Sequence, residues 1–176
     1  YTHGTSTGRA GMTYPAQFTR MTGIQLLSLG CSGNCKMQSY FADALVDADV
    51  DAFIFDSFSN PTPEQIKERL FPFIEKLQAA HPGKPLIFQH TIYREKRNFD
   101  QSVDKAEQAK MDMADSLMHI ACKKYKDVYY IDCTNATDPV HDSSIDGVHP
   151  GNNGYTRWAE SVKKPIVKIL KKYGIQ

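Results

Sequence analysis

The chain has 176 residues, of which 41% are hydrophobic and 23% charged, and its formal net charge is +1. This composition is typical of one globular domain with a single sizeable core. The dispersed Lys and Arg residues give no indication of nucleic-acid binding, and the longest apolar runs are too short to span a membrane.

Apolar strand-like runs alternate with longer helical patterns, which is typical of an α/β fold with a mainly parallel sheet. The predicted strands are Ile24–Leu29, Ala52–Phe55, Pro85–Phe88 and Val128–Ile131. The predicted helices are Tyr14–Met21, Met37–Ala48, Pro63 to about Ala80, Val103–Tyr125 and Gly154–Lys172. The polar stretch Tyr93–Ser102 is predicted as a loop. Active sites of such sheets lie at the carboxyl ends of the strands, so we expect the functional residues in the loops that follow the strands.

The four cysteines do not indicate a disulfide scaffold or a zinc site, because they are few and lack paired spacing. They are Cys31, Cys35, Cys122 and Cys133. We interpret them as ordinary thiols. No metal or cofactor is predicted.

The segment Asp146-Gly-Val-His149-Pro150 carries the sharpest local signal for catalysis. A carboxylate three residues before a histidine in a tight loop can accept the imidazole Nδ1–H. It would then fix the tautomer and stabilise the imidazolium that forms when Nε2 takes a proton. A plain surface turn would have the same sequence, so this motif needs support from other loops.

Two loops after predicted strands supply that support. Gly33, in Gly30-Cys-Ser-Gly33-Asn34, can present a backbone N–H in a small anion-binding concavity. Asn60 follows the second predicted strand and offers a side-chain amide donor. Together the two donors would form an oxyanion hole for an acyl-transfer intermediate. Taken singly, Gly33 suits an ordinary turn and Asn60 an Asn-Pro turn.

The ordered set of Gly33, Asn60 and Asp146-x-x-His149 resembles the second, third and fifth blocks of the SGNH (GDSL) hydrolases. Arg9–Tyr14, Leu29–Asn34 and Asp146–Pro150 further resemble a bacterial GDSL-like branch, whose members often carry a β-sandwich domain upstream. The resemblance implies a flavodoxin-like three-layer α/β/α sandwich. It also implies ester hydrolysis by a Ser-His-Asp triad, with the serine N–H, the Gly33 N–H and the Asn60 amide as oxyanion donors.

The resemblance leaves two placements for the nucleophilic serine. The family's first block is Gly-Asp-Ser-x-Thr-x-Gly, often Gly-Thr-Ser-x-Thr-x-Gly in this branch. Ser6 completes a Gly-x-Ser core with Gly4 and Thr5, but Thr7 and Gly8 do not continue the block. Tyr1-Thr2-His3-Gly4 fits the continuation without a gap, which puts the serine immediately before Tyr1. Ser32 is a weaker third candidate, because the family uses the N–H of its neighbour.

The expected architecture favours the second placement. A doubly wound sheet of this kind has its first strand in the centre, and its loss would expose apolar faces and unpaired strand edges. Nothing in Tyr1–Gly23 has a strand-like pattern. We therefore expect the central strand and its serine to precede Tyr1, and we keep Ser6 as the fallback.

The substrate expected from the resemblance is a small acyl ester, with acetyl groups on carbohydrate as the first choice. Short-chain lipid esters and thioesters are the alternatives within the same fold. Tyr1, His3, Tyr93 and Arg94 are candidates for an acceptor site, although loop aromatics and arginines are as often surface packing. His90 and His141 are further pocket candidates, with a hydrogen-bonded structural role the preferred interpretation for both.

Two rivals belong to other classes of protein. One is a non-catalytic binding module that keeps the sandwich but lacks a working serine. The other is a nucleotide or phosphate binder that uses Gly30–Asn34, which is disfavoured because the chain has neither a Gly-x-Gly-x-x-Gly run nor a P-loop.

Overall fold

The computed structural model describes residues 1–133, 136–137 and 143–176. Its helices and strands, in chain order, are α1 (Tyr14–Thr22), α2 (Ser39–Val46), β1 (Phe53–Phe55), α3 (Pro63–Ala80), β2 (Leu86–Gln89), α4 (Gln101–Lys124), β3 (Val128–Ile131) and α5 (Asn152–Leu170). Short 3-10 helices cover Ala10–Met12, Glu95–Asn98 and Lys171–Tyr173. The predicted alternation of strands and helices is confirmed from β1 onward.

The described strands form one parallel sheet in the order β1-β2-β3. Its register pairs Phe53 with Leu86, and Leu86 with Val128. All four residues of β2 are buried, as expected for a parallel strand that is covered on both faces. Because the strands run the same way, the loops that follow them start side by side at one edge of the sheet.

Helices cover both faces of this sheet. On one face α2, α3 and α4 pack around Phe53, Phe55 and Phe88 in a first core cluster. On the other face α1 and α5 pack around Ile87 and Ile131 in a second core cluster. Side chains alternate across a strand, so the neighbours Ile87 and Phe88 enter different clusters. This is the predicted three-layer α/β/α sandwich.

Side-chain caps explain where two of the helices begin. Thr62 and Gln65 form a capping box at the start of α3, with hydrogen bonds of 3.3 and 3.1 Å between each side chain and the other's backbone N–H. The Asp100 carboxylate accepts the N–H groups of Ser102 and Val103 at 2.9 and 3.2 Å. Because Asp100 caps α4, this helix starts at Gln101, two residues earlier than its apolar pattern predicts.

The prediction of a buried strand at Ile24–Leu29 is wrong. No described segment pairs with this run, which is irregular chain. Ile24 and Leu26 pack against the second core cluster, whereas Leu27 and Leu29 are 76% and 56% exposed. Apolar residues indicate what can be buried, but a strand also needs a neighbouring backbone that completes its hydrogen bonds.

The described helices include none that combines the length and the apolar character needed to cross a bilayer. The four cysteines are free thiols, with Cys133 buried, Cys35 half-buried and the other two exposed.

Candidate active site

Asp146 and His149 form a close pair in the loop that precedes α5. Oδ2 of Asp146 lies 2.7 Å from Nδ1 of His149, and Oδ1 accepts the backbone N–H groups of Val148 and His149 at 2.9 and 2.7 Å. The pairing assigns the proton of the neutral ring to Nδ1, which leaves Nε2 as the proton acceptor. The His149 side chain is 34% exposed, so the ring is accessible to a substrate.

The charge of Asp146 is strongly favoured in this loop. Burial alone would raise the pKa of its carboxyl, but the hydrogen bonds from the His149 ring and from the backbone N–H groups of His149 and Val148 outweigh burial. They lower the pKa to about 2. The carboxylate is therefore ionised at every pH at which the protein would be expected to work.

Contacts with α5 and with the 3-10 helix after β2 hold the loop of Asp146 and His149 in place. A Cβ at Gly154 would lie 2.3 Å from the Ser143 carbonyl oxygen, so only glycine lets the first turn of α5 approach the loop this closely. Glu95 accepts the N–H of Ser143 at 2.8 Å, the N–H of Ser144 at 3.3 Å and the Ser144 hydroxyl. The Lys96 N–H donates to the Gly147 carbonyl at 2.8 Å. The 3-10 helix after β2 thus clamps the loop that carries Asp146 and His149.

Tyr1 occupies the centre of the candidate site. Its ring packs edge-on against His149, with the ring centroids 5.8 Å apart, and its hydroxyl accepts a hydrogen bond from Nε of Arg94. Its backbone nitrogen lies 3.9 Å from the carboxylate of Asp56, which follows β1. The Tyr155 hydroxyl on α5 is 3.1 Å from the Tyr1 carbonyl. Tyr1, predicted as a residue of an acceptor site, has a side chain only 3% exposed and connects the loops instead.

The loop with Gly33 lies against the same N-terminal residues. A Cβ at Gly30 would lie 2.4 Å from the His3 nitrogen, so a larger residue at position 30 would push the two segments apart. Gly33 itself has a φ of +68°, a conformation that glycine adopts without strain. It is exposed at the turn that the Asn34 N–H closes on the Cys31 carbonyl at 3.1 Å.

Asn60 lies at the end of the loop after β1, half-buried, in the lining of a cavity of about 270 Å³. The preceding carbonyl, of Ser59, accepts Nη2 of Arg94 at 2.6 Å and Nζ of Lys110 at 3.0 Å. Within the described ranges the Asn60 amide makes no hydrogen bond, so its N–H groups are open to a ligand.

Three of the predicted loops therefore meet around the N-terminal residues. His149 reaches them through the Tyr1 ring, Gly30 through His3, and Ser59 with Asn60 through Arg94. No direct contact joins Gly33 or Asn60 to His149 in the described part of the chain. The loops share the sheet edge that the sequence predicts.

Ser6 lies in the N-terminal turn, with an exposed side chain and a φ of +69°. Its hydroxyl makes no hydrogen bond to any residue that the structure describes, His149 included. The Ser32 side chain is also exposed, and its carbonyl accepts the Asn34 amide at 2.8 Å. In the part of the chain that the structure describes, neither serine is hydrogen-bonded to His149.

The other candidates have structural contacts. His90 is buried, with Nδ1 2.7 Å from the Thr91 carbonyl and Nε2 3.4 Å from Asp115, which favours the structural interpretation. Tyr93 donates its hydroxyl to Asn98 at 2.6 Å. His141 lies outside the described residues.

Sequence reasoning missed Glu95, Glu107 and Lys110. Glu107 and Lys110 occupy the buried stripe of α4, which continues through Ala114, Met118 and Ala121 at helical spacing. Two charged residues on an otherwise apolar stripe were the available signal, because buried charges require partners. Glu95 had no such signal, since its partners are some 50 residues away in the chain.

Several solved structures share this fold. A Bacteroides ovatus protein, provisionally described as a GDSL-like lipase, is 36% identical with a TM-score of 0.88, over 94% of this chain and 49% of that one. A salicylyl-acyltransferase from a tetracycline biosynthetic pathway has a TM-score of 0.78 at 18% identity, over 99% and 53%. An acetyl esterase variant with an acetate ion has a TM-score of 0.69 at 15% identity, over 96% of this chain and 94% of that one.

The chain spans about half the length of the first two of these proteins. The latter two, at low identity, show the fold alone. The comparison with curated proteins gave no match. A family model, described as GDSL-like lipase/acylhydrolase, matches residues 1–168, and the chain therefore belongs to the GDSL-like lipase/acylhydrolase family.

Proposed function

We propose that this domain is a serine esterase that hydrolyses small acyl esters through an acyl-enzyme. The observation that carries the proposal is the 2.7 Å pairing of Asp146 with Nδ1 of His149, which leaves Nε2 as a base on an accessible ring. Membership of an acylhydrolase family supplies the reaction class.

The mechanism has two steps. His149 takes the proton of the serine hydroxyl through Nε2, and the serine oxygen attacks the ester carbonyl. The imidazolium is stabilised by the Asp146 carboxylate, and it returns the proton to the departing alcohol. Water, deprotonated in turn by His149, then attacks the acyl-enzyme, and the imidazolium returns the proton to the serine oxygen as the acid is released. The N–H of Gly33, the amide of Asn60 and the N–H of the serine hold the negative charge on the carbonyl oxygen.

For the nucleophile we favour a serine immediately before Tyr1, with Ser6 as the fallback. The central position of Tyr1, between His149, Arg94 and Asp56, supports this choice. A residue joined to the Tyr1 nitrogen would be surrounded by the loops that carry the base and the oxyanion donors. Ser6, in contrast, is exposed and unpaired within the described residues.

For the substrate we favour an acetyl ester of a carbohydrate. Proteins with the same fold include an acetyl esterase with an acetate ion and a carbohydrate esterase from Talaromyces cellulolyticus, the latter with a TM-score of 0.62 at 16% identity. These likenesses motivate the choice, and short-chain lipid esters and thioesters are the alternatives that a substrate panel would compare.

Hydrolysis of p-nitrophenyl acetate tests the reaction class. We expect turnover that a serine-directed phosphonate abolishes, and that His149→Ala reduces to near background while His119→Ala, at an exposed position on α4, retains it. Near-normal turnover in His149→Ala would reject the triad.

Mass mapping of the phosphonate adduct on the full polypeptide locates the nucleophile. An adduct that persists in Ser6→Ala and maps before Tyr1 supports the favoured placement, whereas an adduct on Ser6 supports the fallback. The unpaired Ser6 hydroxyl also suits a non-catalytic binding module. A binding module would bind an acetylated sugar, but it would show no turnover and form no phosphonate adduct.

A further inference from the structure

A small cavity of about 270 Å³ lies beside Asn60. Its charged lining residues are Arg94 from the loop after β2, and Glu107 and Lys110 from α4. Their side chains are only 16%, 10% and 7% exposed, respectively. The volume is at the lower limit of ligand pockets and suits one small chemical group rather than a long chain.

The charges in this lining do not balance. Glu107 pairs with Arg94 at 2.7 Å through one carboxylate oxygen and with Lys110 at 2.6 Å through the other. Two cations thus share one anion, which leaves an excess of one positive charge among the lining residues that the structure describes. Charges removed from water are costly unless they are compensated, so this excess favours a bound anion.

The two cations also have hydrogen-bonding capacity to spare. Arginine and lysine side chains carry eight N–H bonds between them. Five contacts occupy Arg94 and Lys110 in the described part of the chain, to Tyr1, to Ser59 twice and to Glu107 twice. Three N–H bonds therefore remain for a ligand.

The pKa of Lys110 reflects the same imbalance. Burial is the main cause that lowers this pKa to about 8, and repulsion from the Arg94 charge is the second cause. The ammonium group is still mostly protonated at neutral pH. An anion between Lys110 and Arg94 would reduce both penalties.

We propose that this cavity is a subsite for a carboxylate group of the ester substrate. The placement next to the reacting carbonyl rests on the proposed function, through the oxyanion role of Asn60. A carboxylate matches the single excess charge, and planar guanidinium groups bind carboxylates through parallel hydrogen bonds. Among the acetyl esters of carbohydrates proposed above, the preferred substrate is therefore one whose sugar carries one negative charge, a carboxylate, close to the ester bond.

A matched pair of esters tests the subsite. The substrates are 3-acetoxybenzoate, which is anionic, and its neutral methyl ester, and the measured quantity is the ratio of their kcat/KM values. We expect the wild type to favour the anion. Lys110→Met should lower the ratio, and Glu107→Gln should raise it, by roughly fivefold each, given the attraction between charges a few ångströms apart in a partly screened cleft.

Lys124→Met is the matched control on the same helix. Its ammonium pairs at the exposed far end of α4 with Glu75 at 3.2 Å, and its removal should leave the ratio unchanged. If the charged cluster serves only to hold the Ser59 carbonyl, each of the two cavity variants will change kcat/KM by the same factor for both esters. An unchanged ratio, or shifts of the same sign in both variants, would overturn the subsite.

The wild type provides a test that does not depend on variants folding. Rising salt should lower the ratio of anionic to neutral turnover, and a ratio independent of salt contradicts the proposal. If neither ester is hydrolysed, the proposed function fails. Calorimetry with 3-acetamidobenzoate then decides the subsite: binding that Lys110→Met weakens supports it, and binding that is absent or unaffected overturns it.

Discussion

At the scale of single residues, the donors and the base of the candidate site have very different surroundings. The Asp146 carboxylate pairs with Nδ1 of His149 and accepts the backbone N–H groups of His149 and Val148, all within four residues of chain. Asn60 has no hydrogen-bond partner for its amide among the described residues, although the carbonyl before it is fixed by Arg94 and Lys110. An amide that is positioned through its backbone and open at its side chain suits an oxyanion donor.

If Asn60 has its proposed role as an oxyanion donor, Asn60→Ala should lower kcat by about 10²–10³-fold while the fold is retained. Asn60→Asp is the matched variant, since aspartate keeps the size and the turn-forming ability of asparagine but has no N–H to donate. Steady-state kinetics of the two variants would separate the roles. Activity in Asn60→Asp would assign Asn60 to the turn alone.

The low pKa of Asp146 predicts a pH-dependent contribution to stability. Its value of about 2 in the folded chain lies below the ordinary 3.8, so the folded state favours the ionised form. This contribution is present above about pH 4 and is lost as the pH falls from there towards 2. It is small, because the side chain is half exposed.

Thermal unfolding of the wild type and of Asp146→Asn would check this. The difference in Tm should be constant above pH 5 and should shrink below pH 4. Asp115→Asn, in the other Asp–His pair among the described residues, provides a comparison outside the site. A difference that grows on acidification would show that the sign is wrong.

At the scale of elements, the 3-10 helix Glu95–Asn98 and the residue before it connect the two halves of the site. Arg94 bonds to Tyr1 and to the Ser59 carbonyl, whereas Glu95 bonds to the loop that carries His149. Adjacent residues thus point to opposite halves of the site. Under the proposed function this segment is a positioning element, because its described contacts join the loop that carries His149 to the loop that carries Asn60.

Replacement of Glu95 by glutamine should weaken its hydrogen bonds to the loop that carries His149. We expect Glu95→Gln to lower kcat about tenfold or more, with a smaller effect on KM, because small displacements of a catalytic group carry a large rate penalty. Glu160→Gln, at an exposed position on α5, is the control. The Tm and the folded fraction of the variant should be measured together with its kcat. If kcat falls only in proportion to the folded fraction, Glu95 has a structural role alone.

At the scale of the whole molecule, one sheet separates two core clusters. Ile74 on α3 and Ile166 on α5 are fully buried in different clusters, on opposite faces of the sheet. Because β2 contributes to both, the clusters are expected to unfold together. The loops of the site emerge from one edge of this common core and depend on both faces.

Valine substitutions test this cooperation. Ile74→Val and Ile166→Val should each lower the free energy of unfolding by about 0.5–1.5 kcal/mol. In the double variant the two losses should add to within about 0.5 kcal/mol, since the sites do not touch. Urea unfolding followed by circular dichroism and by tryptophan fluorescence should give one shared transition. Separate transitions would indicate that the faces fold independently.

The sequence alone was sufficient for features that depend on neighbouring residues. The strand at Val128–Ile131 was predicted at its observed bounds, because an apolar run between a helix and a polar loop defines it. The pairing of Asp146 with His149 follows from a spacing of three residues. The order of Gly33, Asn60 and His149 along the chain was sufficient for the family, which the match over residues 1–168 confirms.

Only the tertiary structure decided the features that depend on residues far apart in the chain. Ile24–Leu29 has the composition of a strand, but a strand exists only where another backbone completes its hydrogen bonds. The charged cavity joins Arg94 to Glu107 and Lys110, and the clamp joins Glu95 to Ser143 and Ser144. Side chains acquire such partners when helices pack on a sheet, and the local sequence pattern does not predict which distant residues this packing brings together.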